Sequence, residues 1–70
     1  MDAKIKYWYA VMIDREDSDW GYGSFELSKA IEMHKNYPDG YIAVIDAGYD
    51  ENDKPTKDAF CVDAIFPQNE

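Results

Sequence analysis

Seventy residues allow one small domain, and a formal net charge of −8 disfavours direct binding to nucleic-acid phosphates or anionic membranes, since both need basic clusters. A single cysteine, Cys61, excludes an internal disulfide framework and a multi-cysteine zinc site, and fits a reducing, cytoplasmic setting. The aromatic share of 16% helps explain how so short a chain could fold without staples, because rings bury the most area per residue.

Residues 1–3 read as a frayed end. The apolar run 7–13 is too short to span a membrane and lacks a following cleavage pattern, so no targeting segment is expected. Residues 4–13 are predicted to form a first strand. Ile5, Tyr7, Tyr9, Val11 and Ile13 share one face, and Lys4, Lys6, Trp8, Ala10 and Met12 share the other. The first face should meet a helix. Part of the second is expected to stay open or to be covered by a partner.

Residues 14–19 carry Asp14, Glu16, Asp17 and Asp19 with Arg15, and like charges this close should keep the segment out in water. Trp20-Gly21-Tyr22-Gly23 follows, and residues 22–25 read as a short strand paired back on the first in a loose hairpin. A helix is predicted over 27–36, with Leu27, Ala30, Ile31 and His34 on one stripe and Met33 and Tyr37 widening it. Ser24 or Glu26 could cap its start, and Asn36 could end it in a left-handed conformation. Residues 37–40 fit a type I turn with Pro38 at the second position and Gly40 at the fourth.

Tyr41-Ile42-Ala43-Val44-Ile45-Asp46 is an apolar, β-branched run between two turn signals, the pattern of a strand buried on both faces. A polar loop over 48–58 leads to a last strand over 59–66, with Phe60, Val62, Ala64 and Phe66 on one face. The loop has no helical pattern, so these two strands should form an antiparallel hairpin. The expected fold is α+β: a single helix packed on a three- to four-stranded antiparallel sheet, in the order β-(β)-α-β-β. The expected core is Tyr7, Tyr9, Val11, Ile13, Phe25, Leu27, Ala30, Ile31, His34, Ile42, Val44, Phe60, Val62 and Ala64.

No catalytic or cofactor motif is present, and no metal ligand set is expected. Both acidic loops fail the calcium-loop pattern: from Asp17 no glycine stands sixth and no glutamate twelfth, and the 50–58 loop has Lys54 where an oxygen ligand is needed. A lone His34 on a helix stripe reads as a packing residue, and Cys61 within a strand reads as a small hydrophobe. Gly21-Tyr22-Gly23 lacks the third glycine and the lysine of a phosphate loop, and its acidic neighbours would repel phosphate. Trp8, Trp20, Tyr22, Tyr41 and Tyr49 are more rings than one helix can cover. They either form an exposed aromatic patch rimmed by carboxylates or pack on one another.

The stretches Tyr9-Ala10-Val11-Met12, Trp20-Gly21-Tyr22-Gly23-Ser24-Phe25 and Tyr41-Ile42-Ala43-Val44-Ile45 resemble small uncharacterised acidic proteins of bacterial and phage genomes. The resemblance carries over no catalytic residue. It implies a phage or mobile-element setting, where short acidic proteins bind and block host proteins, including nucleic-acid enzymes with basic grooves. The expected function is therefore a non-enzymatic protein-binding module that offers Asp14, Glu16, Asp17, Asp19, Trp20 and Tyr22 to a basic protein partner, as a DNA mimic would. Two alternatives stand beside it. One is a structural homodimer formed through an edge strand or the aromatic sheet face; the other is divalent-cation binding by the acidic loops.

Overall fold

The computed structural model describes residues 5–67. In chain order the elements are β1 (Trp8–Met12), β2 (Gly23–Ser24), α1 (Leu27–His34), β3 (Tyr41–Asp46) and β4 (Phe60–Ile65). The strands form one antiparallel sheet in the order β2-β1-β3-β4, with α1 packed against β1, β2 and β3. This is the expected α+β arrangement.

The centre of the sheet is the β1–β3 pair. Tyr9 stands opposite Val44, Ala10 opposite Ala43 and Val11 opposite Ile42. Directly opposed residues share a face, so Tyr9, Val11, Ile42 and Val44 form the floor under the helix. Ala30 of α1 is fully buried there with Val11 and Ile42, and Tyr9, Ile31, Met33 and Ile65 pack around them. Gly40 closes the turn before β3, with its N–H donating to the Tyr37 carbonyl. A Cβ at this position would overlap the Met12 carbonyl oxygen, so the close approach of turn and β1 requires glycine.

The second core lies on the opposite face, part of which was expected to stay open or to be covered by a partner. Ala10, Met12, Ala43 and Ile45 are all buried, with Trp8, Trp20 and Tyr41 packed against them. The connection over 13–22 folds back and lays Trp20 on the sheet. Complete burial of side chains such as Met12 and Ile45 contributes roughly 1.5–3 kcal/mol each, so this cluster is as much a stabilising core as the one beneath the helix.

Several expectations are corrected. Ile13, Leu27, Phe60 and Val62 were expected in the core but are 47%, 36%, 46% and 43% exposed. Tyr7, Tyr9, Phe25, Ile31 and Ala64 are half-buried. The expected single face of Phe60, Val62, Ala64 and Phe66 is broken: Phe60 stands opposite Asp46, on the face of Ile42 and Val44, Ala64 stands opposite Ala43 on the other face, and Val62 falls in the register irregularity between them, while α1 packs on β1, β2 and β3. The first strand begins at Trp8, since the register with β3 ends where Trp8 meets Ile45; Lys4 lies outside the described residues, as do the expected frayed ends. The helix stops at His34, and its last turn tightens through Lys35 N–H to Glu32 O and Asn36 N–H to Met33 O. Asn36 does not take the left-handed conformation; among the described non-glycine residues only Asp53 has a positive φ. Neither expected cap closes the start: Glu26 occupies the cap position without a side-chain bond, and Ser24 Oγ accepts from Glu26 N–H, one step ahead of the helix.

Candidate protein-binding surface

The acidic run after β1 is held in place by its own carboxylates. Asp14 Oδ1 accepts the Glu16 N–H at 2.9 Å, and Asp19 Oδ1 accepts the Gly21 N–H at 2.9 Å. Asp17 does this twice, taking Ile13 N–H on Oδ2 and Asp19 N–H on Oδ1, both at 3.0 Å. Aspartate is suited to such local turns because its short side chain reaches backbone donors two residues on. The Ile13 N–H foremost, then those of Asp19 and Ser18, hold the Asp17 carboxyl below its ordinary value, against a smaller opposing effect of burial. The segment is thus a wired turn and not a loose strip kept in water by repulsion alone. Asp14, Glu16 and Asp19 are exposed, and Asp17 is half-buried.

The two rings expected beside these acids part company. Trp20 turns inward, half-buried against the sheet, and its carbonyl accepts Trp8 Nε1–H at 2.6 Å. Tyr22 points outward and meets Tyr37 edge-on, with ring centroids 5.7 Å apart. Of the other surplus rings, Trp8 stands edge-on to Phe25 at 4.7 Å, and Phe25 edge-on to Tyr49 at 5.0 Å. Tyr41 stacks on Phe66 at 5.4 Å. Trp8, Tyr41 and Tyr49 are half-buried, so the rings largely pack on one another.

An open cleft of about 430 Å³ lies at the end of β1, lined among others by Asp14, Arg15, Asp39 and Phe66. Its parts converge through register: Met12 at the end of β1 stands opposite Tyr41 at the start of β3, which brings the 13–15 segment beside the 38–40 turn. Phe66 arrives from the C-terminal end of β4 and stacks on Tyr41. Arg15 lies over the Phe66 ring, its guanidinium carbon 5.5 Å from the centroid. The Phe66 ring is thus taken up by Tyr41 and Arg15, and the two carboxylates in the lining, Asp14 and Asp39, are what suit the cationic end of a lysine or arginine side chain. Asp39 and Phe66 were not among the expected contacts. The sequence signal that could have found them is the antiparallel register itself, which places the residue after one strand next to the residue before its partner.

His34 and Cys61 are not brought together. His34 is buried at 1% exposure, and its Nε2–H donates to the Gly40 carbonyl at 3.1 Å. That bond fixes the tautomer, because a carbonyl can only accept. Its Nδ1 has no partner among the described residues. Cys61 is exposed on β4, away from the helix, with its thiol 3.1 Å from the Asp63 carbonyl oxygen. Among the described residues no three His, Cys, Asp or Glu side chains converge as a metal site requires. In the 47–59 loop Asp50 Oδ1 accepts the N–H groups of Asn52 and Lys54, and Asp53 pairs with Lys6. No helix among the described residues is long and apolar enough to cross a membrane. No protein-family model, curated protein or solved structure matches the chain.

Proposed function

We propose that the chain is a non-enzymatic, acidic protein-binding module that takes a basic side chain of a protein partner into the cleft between Asp14 and Asp39. The single observation that carries this reading is the cleft itself, with the carboxylates of Asp14 and Asp39 in its lining and a pre-ordered acidic turn alongside. Pre-ordering matters because a binding surface that is already fixed loses less conformational entropy on association. The net charge of −8 adds long-range attraction for basic surfaces. In this reading Asp14 lines the cleft, Glu16, Asp17 and Asp19 add negative charge along the turn that follows it, Tyr22 offers an exposed ring further along, and Trp20 holds the turn down. A phage or mobile-element protein that occupies the basic groove of a host nucleic-acid enzyme in the cytoplasm, as a DNA mimic, would use such a surface.

Calorimetry with a short lysine-rich peptide tests the idea, comparing Asp14→Asn/Asp39→Asn with the charge-matched control Glu32→Gln/Glu51→Gln. The cleft variant should lose about tenfold or more in affinity, the size of a charge-assisted contact worth ~1.5 kcal/mol, while the control binds as the parent does. Equal losses in both variants would reduce the effect to net charge and sink the cleft.

A further inference from the structure

We propose that the outer edge of β4 receives a second copy of this chain, which adds its own β4 antiparallel and joins two four-stranded sheets into one of eight. The two edges of the sheet are unlike. β2 is two residues long, which is itself a protection against pairing, whereas β4 runs for six. The helix lies over β1, β2 and β3, and of β4 only Ile65 packs against the core beneath it, with Phe60 and Val62 exposed and the adjoining Phe66 54% exposed.

The direction of the backbone groups follows from the registers. Val11 N–H donates to Tyr22 O on the β2 side, so the polar groups of Ala10 face β3, and those of Ile42 and Val44 face β4. Ile65, opposite Ile42, turns its polar groups inward, and Ala64 next to it presents its own to the outside. Such an edge can take up another strand in register.

Charge selects which strand. β4 carries a single charged residue, Asp63, in a chain of net charge −8. It is therefore a near-neutral strip along which two like-charged copies can meet, while a basic partner is drawn to the acidic turn and cleft. A two-fold axis makes the strip complementary to itself. With Ala64 opposite Ala64, Asp63 of each copy faces Ile65 of the other, so the two Asp63 side chains are not directly opposed, and the exposed Val62 lies beside this seam.

Two features keep the association weak. Asp63 Oδ1 accepts the outward Ala64 N–H at 2.8 Å, so that donor is occupied until a partner displaces it. An irregularity in the register opposite Val44 and Ile45 leaves Val62 without a partner of its own, which bends the strand there. One strand pair also buries less than the roughly 800 Å² per partner of a standard stable interface. The dimer should form at high concentration and be strengthened by removing the Asp63 cap. The proposal does not depend on the Asp14–Asp39 cleft, although Phe66 touches both.

Sedimentation velocity from about 10 μM to about 1 mM is the test, because it spans weak association below the standard interface size. The parent should move from monomer towards dimer. Asp63→Ala should shift that transition to at least about tenfold lower concentration, since the two-fold axis frees two such N–H groups per dimer, one from each copy. Val62→Lys, at an exposed position, should stay monomeric with an unchanged thermal melt, as lysine does on natural edges. Alkylation of Cys61 should slow as the dimer fills. Parent and Asp63→Ala both monomeric throughout would overturn the proposal. So would a dimer indifferent to Val62→Lys that leaves Cys61 alkylation unslowed, since the contact would then lie elsewhere.

Discussion

Trp8 and Trp20 are joined by an indole N–H to carbonyl bond of 2.6 Å, and this bond fastens the acidic turn to the face of the sheet opposite the helix. Trp20 itself covers Ala10, Met12, Ala43 and Ile45. Trp8→Phe keeps most of the ring but strands the Trp20 carbonyl, at a cost of about 1–2 kcal/mol. Trp20→Ala removes one of the three rings over this cluster, leaving Trp8 and Tyr41, and should cost about 3 kcal/mol, the lower end for a large aromatic because the ring is only half-buried. Urea titration should place Trp20→Ala well below Trp8→Phe in midpoint; the reverse order would mean that the turn is not what seals this face.

Stability should fall in acid through two aspartates in particular. Asp17 is held below its ordinary 3.8 by the Ile13 N–H and then the Asp19 and Ser18 N–H groups. Asp46 is held below 3.8 by the Gly48 N–H first and the Lys57 side chain after it. A depressed folded-state pKa means that the unfolded chain takes up the proton first. The contribution is therefore complete well above pH 3.8 and is lost as pH falls through the lower, folded value. Asp17→Asn should flatten the acid limb of a stability-against-pH curve while leaving the neutral and alkaline parts parallel to the parent. An unchanged acid limb in both Asp17→Asn and Asp46→Asn would place the acid sensitivity elsewhere.

Gly40→Ala should be among the most damaging single changes. The added Cβ overlaps the Met12 carbonyl oxygen, so either the 37–40 turn or the end of β1 must move. Forcing atoms into such a packed site typically costs 1–3 kcal/mol, so a loss of about 3 kcal/mol is expected here, where the obstacle is backbone. A thermal melt reads it directly, and a melting point within a degree or two of the parent would show that the turn can slide away freely.

His34→Ala removes both the bond to the Gly40 carbonyl and a fully buried ring beneath the same turn. The expected loss is about 3 kcal/mol, with the cavity and the stranded carbonyl contributing together. Paired with Gly40→Ala in a double-mutant cycle, the losses should be less than additive, because both act on one turn. Strict additivity would separate the two residues energetically.

The parts of the fold that could be read in advance are those where local signals agree. Tyr41–Asp46 was bounded correctly by Pro38-Asp39-Gly40 before it and Ala47-Gly48 after it, and the helix start at Leu27 followed from the apolar stripe. What alternation along a strand does not reveal is which element ends up above each face. Trp20 sits in a stretch of acids and glycines that reads as a polar loop, yet it makes the cover for Ala10 and Met12. Phe60 and Val62 read as inward-facing, but the register irregularity opposite Val44 and Ile45 breaks the alternation along β4, and α1 packs on β1, β2 and β3. The cleft assembles residues 14, 39 and 66 from three separate connections, a neighbourhood visible only once strand order and register are known.

The strand order has a temporal side. β1 lies between β2 and β3, and its ladder with β3 reaches from Trp8 to Ile45. While the polypeptide is being made, the segment around Val11 emerges before its main partner and has only the two-residue β2 and the short α1 to hold it until Tyr41–Asp46 has been synthesised. Long-range pairing of this kind is slow to close. In that interval the aspartates over residues 14–19, translated directly after β1, travel with the sticky segment as its solubilising escort.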